Sequence, residues 1–122
     1  VRWLYFGIYT AVSVTFSPIG EEFFYRGMVH EAFAEKLGEE RASIVDSLAF
    51  SVVHLAHFGL VFIDGHLRFL PVPALLWMAL LFGSCLVFFF CRQRADSIWG
   101  AVIAHAGFNL GMNYFIFFHL MS

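Results

Sequence analysis

The chain has 122 residues and a formal net charge of −2, and 61% of its residues are hydrophobic while only 13% are charged. Because soluble domains keep roughly a quarter of their residues charged, this composition excludes an ordinary soluble domain. It also offers no basic surface, so we expect membrane lipid rather than nucleic acid as a partner. We predict a single domain over residues 1–122, and its first residue, Val1, suggests that it is cut from a longer protein.

Five apolar stretches along the chain predict helices. They run from Arg2 to Phe16, after Gly20 to about Leu37, from Ala42 to about Phe62, from Ala74 to Phe90 and from Ile98 to Leu120. Pro18 predicts a kink between the first two stretches, which form either one bent crossing or two. The turn signal Asp64-Gly65-His66 ends the third stretch. We therefore predict an all-α fold, a polytopic transmembrane bundle with four to five membrane helices.

Basic residues at the ends of these stretches indicate how the bundle lies in the membrane. Lys36 and Arg41 in one loop and Arg92 and Arg94 in another lie on the same predicted face, whereas Arg68 lies on the opposite face. Because positively charged loops favour the cytoplasmic side, we predict that the first face is cytoplasmic.

Aromatic residues and glycines of the later helices are expected to serve packing and lipid contact. The aromatic residues that we expect to contact lipid or to anchor helices at the interface include Trp77, Trp99 and the run Phe88–Phe90. Small residues on the last helix are expected to allow close helix packing. These residues are Gly100, Gly107 and Gly111.

Four histidines lie outside the polar motifs described below. His30, His66 and His119 are near predicted helix ends, so we expect them at the membrane interface. His57 follows His54, the other histidine of the third stretch, by about one helical turn. We expect it to be structural or to face a loop.

The charged residues Glu21, Glu22 and Arg26 interrupt an otherwise apolar region. A charged residue at mid-membrane costs about 2.5 to 3.5 kcal/mol even on the lenient insertion scale, so three together need an explanation. Glu22 and Arg26 are spaced i,i+4 in the favourable order and predict a local ion pair. Glu21 has no such partner on its own helix, which favours a functional role.

Polar residues on separate helices are predicted to lie at a similar depth in the membrane. At 1.5 Å of rise per residue from the presumed cytoplasmic loops, Glu21 and Glu22 lie about 22 to 24 Å deep, His54 about 20 Å, and His105 and Asn109 about 12 to 18 Å. A carboxylate shielded from water is a stronger base, and an imidazole can orient the water that it activates. A histidine and an asparagine amide on another helix offer two donors to an oxyanion. Together these residues supply the base, the water-orienting imidazole and the oxyanion donors that peptide-bond hydrolysis needs.

Three motifs carry a family resemblance. They are Glu21-Glu22-Phe23-Phe24-Tyr25-Arg26, Phe50-Ser51-Val52-Val53-His54 and His105-Ala106-Gly107-Phe108-Asn109. In type and order they resemble the EExxxR, FxxxH and HxxxN motifs of the CAAX protease and bacteriocin-processing (CPBP, or Abi) family. The resemblance implies a glutamic-type intramembrane endopeptidase, similar to the prenyl protease that removes the C-terminal tripeptide of C-a-a-X proteins. It also implies a multi-pass protein of a bacterial or archaeal cytoplasmic membrane and a membrane-associated protein or peptide substrate.

By the same resemblance, individual residues take expected roles. Glu21 is expected to be the general base and His54 its helper in activating water. His105 and Asn109 are expected to form the oxyanion site. The residues expected to support this arrangement are Glu22, Arg26 and Phe50. No cofactor is expected on this reading.

Three alternatives remain open from the sequence. Glu21, His54 and His105 would also supply the two-imidazole, one-carboxylate set of a catalytic zinc or another divalent metal. A non-catalytic membrane protein of the same fold, binding a peptide or giving bacteriocin immunity, is a second alternative. A small transporter or channel subunit with a polar relay is the third.

Overall fold

The computed structural model describes residues 1–120, without the side chains of residues 56–58, so the prediction for His57 lies outside the described residues. Helices make up most of the described chain. They are α1 (Arg2–Glu22), α2 (His30–Leu37), α3 (Glu39–Phe58), α4 (Pro71–Ala95) and α5 (Ile98–Phe115). A π-helical segment, Phe23–Val29, joins α1 to α2, and a second one, Ile116–Leu120, extends α5.

The first half of the chain is one continuous helical run. The segment from Arg2 to Leu37 has no break, and Pro18 lies buried inside α1. The two predicted stretches on either side of Pro18 are therefore a single helical element. The π-helical segment Phe23–Val29 follows at the charged motif, a position where such wider turns often mark functional sites. Gly38 ends the run with a φ of 84°, a conformation that glycine adopts without steric cost.

The prediction of a third helix up to Phe62 is wrong at its end. α3 stops at Phe58, and strand β1 (Leu60–Ile63) pairs antiparallel with β2 (His66–Phe69). Asp64 and Gly65 connect the strands with φ values of 50° and 77°. A two-residue Asp-Gly loop with both φ values positive fits the right-handed twist of a hairpin and closes it. The all-α prediction is therefore corrected by this hairpin, while the rest of the described chain is helical.

Two helices can be tested as membrane spans by length and composition. Among the described residues, Pro71–Ala95 and Ile98–Leu120 are long and apolar enough to cross a membrane. The structure thus supports two of the four to five predicted membrane helices. α4 packs against both α3 and α5, and α1 packs against α5. The residues at the centre of this packing are Tyr25, Phe50, Leu81 and Cys85.

The packing predicted for glycines and aromatic residues is only partly present. A Cβ atom at Gly100 would lie 2.5 Å from the Cys91 carbonyl oxygen, so α4 and α5 approach closely there. At Gly107 and Gly111 the same atom would meet nothing within 4 Å, and the close packing predicted for them is wrong.

The lipid contact predicted for the Phe88–Phe90 run also needs correction. Phe90 and Trp99 are exposed, whereas Phe88 and Phe89 are buried. Both buried rings lie on the face of α4 that turns toward the polar residues, so only part of the aromatic run is available to lipid.

Candidate active site

One cavity of about 180 Å³ brings together side chains from α1, α3 and α5. Glu21 enters it from the end of α1, His54 from α3, and His105 and Asn109 from α5. The rest of its wall is formed mainly by apolar side chains from α4 and α5. These include Leu81, Phe88, Phe108 and Met112. All four residues that the sequence suggested as catalytic therefore line the same cavity.

Glu21 lies at the centre of the polar wall. Its Oε1 accepts a hydrogen bond of 2.8 Å from the Ser17 hydroxyl, one turn earlier on α1. Its Oε2 lies 3.9 Å from Nε2 of His54 and 3.7 Å from Nε2 of His105. Polar contacts longer than about 3.5 Å are commonly bridged by water. Because its side chain is 30% exposed, this carboxylate is within reach of water.

His54 is oriented by its own helix. Its Nδ1 donates a 2.8 Å hydrogen bond to the Phe50 carbonyl oxygen, and its ring stacks on the Phe50 ring at 4.1 Å. A carbonyl oxygen only accepts, so in the neutral ring the proton is on Nδ1 and Nε2 carries the lone pair. The nitrogen that faces Glu21 is therefore the basic one.

His105 is held by Glu22 from the next position on α1. Its Nδ1 lies 2.6 Å from Oε1 of Glu22, and an ionised carboxylate accepts the proton of that nitrogen. Phe88 stacks on the ring with centroids 4.7 Å apart and planes 11° apart. With Nδ1 engaged, the Nε2 nitrogen donates a hydrogen bond only when the ring is doubly protonated.

Two asparagines on α5 bind the same serine of α1. The Asn109 amide donates to the Ser13 carbonyl oxygen at 2.7 Å, and the Asn113 amide donates to the Ser13 hydroxyl. Asn109 lines the cavity, whereas Asn113 lies one turn further from it. An amide nitrogen has two hydrogens, so the bond to Ser13 leaves the other hydrogen of Asn109 for a ligand.

Arg26 is buried directly behind this polar wall. Its side chain is 0% exposed, and its Nε lies 3.3 Å from Oε2 of Glu22, the pair that the i,i+4 spacing predicts. Its guanidinium carbon lies 5.2 Å from the ring centre of Phe50 and 5.6 Å from that of Phe88. Within the described part of the chain, Nε, Nη1 and Nη2 of Arg26 have no partner with hydrogen-bond geometry. Two carboxylates, two ring faces and the Cys85 thiol surround this guanidinium.

Several residues of the site escaped the sequence reasoning. His30, expected at the interface, is only 1% exposed and lies between Asp46 and Glu39. Ser13, Ser17, Asp46 and Asn113 also belong to the polar network. Each stands four or eight positions from a motif residue, so extending each motif by one or two helical turns would have found them.

The metal alternative concerns the same donor groups. Oε2 of Glu21 is within 4 Å of both histidine Nε2 atoms. Among the described residues, however, no three His, Cys, Asp or Glu side chains are arranged to hold a metal ion.

Comparison with known proteins gives one match. The family model described as Rce1-like, type II CAAX prenyl endopeptidase Rce1-like, matches residues 3–111 of the chain. No curated protein and no solved structure matches it. The matched region contains all three motifs and every side chain that lines the cavity except Met112.

Proposed function

Because the chain belongs to the Rce1-like family of type II CAAX prenyl endopeptidases, we propose that it hydrolyses a peptide bond of a membrane-associated protein or peptide within the membrane. Members of this family are integral membrane proteins, and the two apolar helices α4 and α5 fit that location. The family is of the CAAX protease type, so the substrate class that we propose is a polypeptide ending in a C-a-a-X sequence.

One observation carries the proposal. Oε2 of Glu21 lies within 4 Å of Nε2 of both His54 and His105, in a cavity that water can enter. Structural ion pairs in a membrane neutralise each other and exclude water, as Glu22 and Arg26 do here. A carboxylate left partly open between two imidazoles instead suits activation of a water molecule.

The proposed reaction begins with a water molecule held by Glu21 and Nε2 of His54. Glu21 takes a proton from this water while the water oxygen forms a bond to the carbonyl carbon of the substrate. The carbon–nitrogen bond then breaks, and the proton passes from Glu21 to the leaving nitrogen. Neutral His54 supports this step, because its Nε2 lone pair accepts a hydrogen bond from the water.

The negative charge of the tetrahedral intermediate needs donors on the other side of the cavity. We assign this role to Nε2 of protonated His105 and to the second amide hydrogen of Asn109. Glu22 holds Nδ1 of this ring and so fixes the direction of Nε2. Ser13 fixes the direction of the Asn109 amide. Donors placed before the reaction stabilise a developing oxyanion without reorganisation.

The test uses purified protein in detergent micelles or nanodiscs. The probe is a fluorogenic farnesylated peptide ending in a C-a-a-X sequence, with the same peptide lacking the farnesyl group beside it. The variants are Glu21→Gln and His54→Gln, and the matched control is Glu31→Gln, an exposed glutamate of α2. We expect cleavage by the wild type and the control, and loss of cleavage in both site variants.

Mass spectrometry of the products and of new peptide termini in expressing membranes completes the test. A wild type that cleaves neither probe and yields no new termini contradicts the peptidase proposal and favours a peptide-binding role. Activity that survives a strong chelator supports a metal-free reaction, and activity that is lost and returns with zinc supports the metal alternative.

A further inference from the structure

A second histidine–carboxylate cluster lies outside the cavity and is connected to it through Arg26. Nδ1 of His30 is 2.8 Å from Oδ2 of Asp46, and Nε2 is 2.6 Å from Oε2 of Glu39. The histidine is 1% exposed, Asp46 is 0% exposed and Glu39 is 60% exposed. Ionised carboxylates only accept hydrogen bonds, so a ring that donates to both Asp46 and Glu39 is an imidazolium cation.

His30 and Asp46 continue the buried charges of the catalytic side. In order, the row is Glu22, Arg26, Asp46 and His30, with closest distances of 3.3, 3.7 and 2.8 Å between neighbours. All four side chains are at most 1% exposed, and with His30 as an imidazolium their charges alternate in sign. Because a buried charge without compensation is costly, each charge in this row needs an opposite charge beside it.

The position of Arg26 depends on the charges at the Asp46 and His30 end of the row. Its nitrogens have no oxygen partner with hydrogen-bond geometry in the described part of the chain, and the Cys85 thiol is a weak partner for the guanidinium. Two carboxylates attract its Nε, Glu22 at 3.3 Å and Asp46 at 3.7 Å, and the guanidinium lies near the rings of Phe50 and Phe88. A change of charge at Asp46 therefore alters the pull of Arg26 on Glu22.

We infer that Asp46, with the His30 imidazolium, is a positioning residue for the reaction. It shares Arg26 with Glu22, and this sharing leaves Glu22 a strong acceptor for Nδ1 of His105. Without the Asp46 charge, Glu22 alone balances Arg26 and His30. Its carboxylate is then drawn from His105 toward Arg26. This inference rests on the proposed function, because the consequence for catalysis passes through His105.

A charge-balance cycle tests the inference with the farnesylated peptide. Asp46→Asn leaves the row one positive charge in excess, His30→Gln leaves it one negative charge in excess, and the double variant is neutral again. We expect each single variant to lower kcat about tenfold with KM within about twofold, a size typical of coupling between neighbouring buried groups. The double variant is expected to recover to within about threefold of the wild type.

The matched control is Glu40→Gln, an exposed glutamate of α3 beside Glu39. We expect its kcat to equal that of the wild type. Thermal unfolding of every variant identifies losses that come from unfolding. A purely structural role of Asp46 predicts that the double variant is at least as impaired as the worse single variant. That result, or an unchanged kcat in Asp46→Asn, would overturn the inference.

A second readout needs no substrate and separates this inference from the proposed function. In protein with isotope-labelled histidine rings, the Nδ1 proton that His105 shares with Glu22 gives a nuclear magnetic resonance signal, assigned by its loss in His105→Gln. We expect this signal to move in Asp46→Asn and to return toward its wild-type position in the double variant. If the signal behaves so and the wild type cleaves nothing, the positioning stands and the proposed function fails. If cleavage is present and the signal is unchanged in Asp46→Asn, the positioning fails alone.

Discussion

Two buried histidines near Arg26 each bind a buried carboxylate through Nδ1 but lie in different surroundings. His105 binds Glu22 through Nδ1 and directs Nε2 toward a cavity and a partly exposed carboxylate. His30 binds a carboxylate through each of its nitrogens. The difference teaches that a carboxylate partner orients a histidine, whereas reactivity further requires that its second nitrogen face an accessible cavity. We therefore expect variants around His105 to change mainly the reaction, and variants around His30 to lower stability and to change the reaction only through Glu22.

The largest expected effect is on the cavity side, at Glu21. Glu21→Gln removes the base but keeps an oxygen that accepts the hydrogen bond from Ser17. A general base contributes roughly 10²- to 10⁴-fold, so we expect kcat to fall about 10³-fold while the melting temperature changes little. The measurement is the initial cleavage rate at saturating probe together with thermal unfolding. A loss smaller than about tenfold would mean that another group takes the proton.

Around His30 the larger expected effect is on stability. His30→Phe keeps a ring against Phe89 but removes both bonds and the positive charge opposite Asp46. Breaking one partner of a buried ion pair typically costs about 3 to 5 kcal/mol, so we expect the free energy of unfolding to fall by about 3 kcal/mol. An unfolding titration in mixed micelles measures it, and His66→Phe on the exposed strand β2 is the control. Equal values for the two variants would remove the distinction between the buried and exposed histidines.

A pair of asparagines sharpens the comparison within α5. Asn109 and Asn113 both donate to Ser13, but only Asn109 lines the cavity. Loss of an oxyanion donor typically costs 10²- to 10³-fold, so Asn109→Ala should lower kcat about 10²-fold. Asn113→Ala removes a similar hydrogen bond and should lower stability by about 1 kcal/mol without a comparable loss of kcat. If the two variants lose the same activity, Asn109 acts by holding α5 to α1 and not as a donor.

The cavity was largely predictable because its residues repeat at helical spacing. Spacings of four placed His105 with Asn109 and Phe50 with His54, and a common depth placed them near Glu21. The same spacing leads from Glu22 through Arg26 to His30, and from His54 back through Phe50 to Asp46, yet the prediction stopped at the motif ends. Whether a histidine near a helix end is buried depends on the packing of other helices, and the sequence of one helix does not contain that information.

The hairpin shows a different limit. The sequence gives the turn at Asp64 and Gly65, but the apolar run Leu60–Ile63 is too short for its period to separate a strand from a helix. Likewise the Phe88–Phe90 run is uniformly apolar, so hydropathy alone does not tell which rings face lipid. Two of them instead face the polar network, because that face of α4 packs on α3 and α5.

The smallest expected effect is at Glu39, the exposed carboxylate that binds His30. Its carboxylate binds Nε2 of His30 at 2.6 Å, but it is 60% exposed. Exposed ion pairs are screened by water and salt and contribute about 0 to 1 kcal/mol, so Glu39→Gln should lower the free energy of unfolding by less than about 1 kcal/mol. The difference from the wild type should shrink further at high salt, and kcat should stay within about twofold. Unfolding titrations at low and high salt measure this. A loss as large as that of His30→Phe would mean that the surface carboxylate, rather than buried Asp46, is what keeps His30 charged.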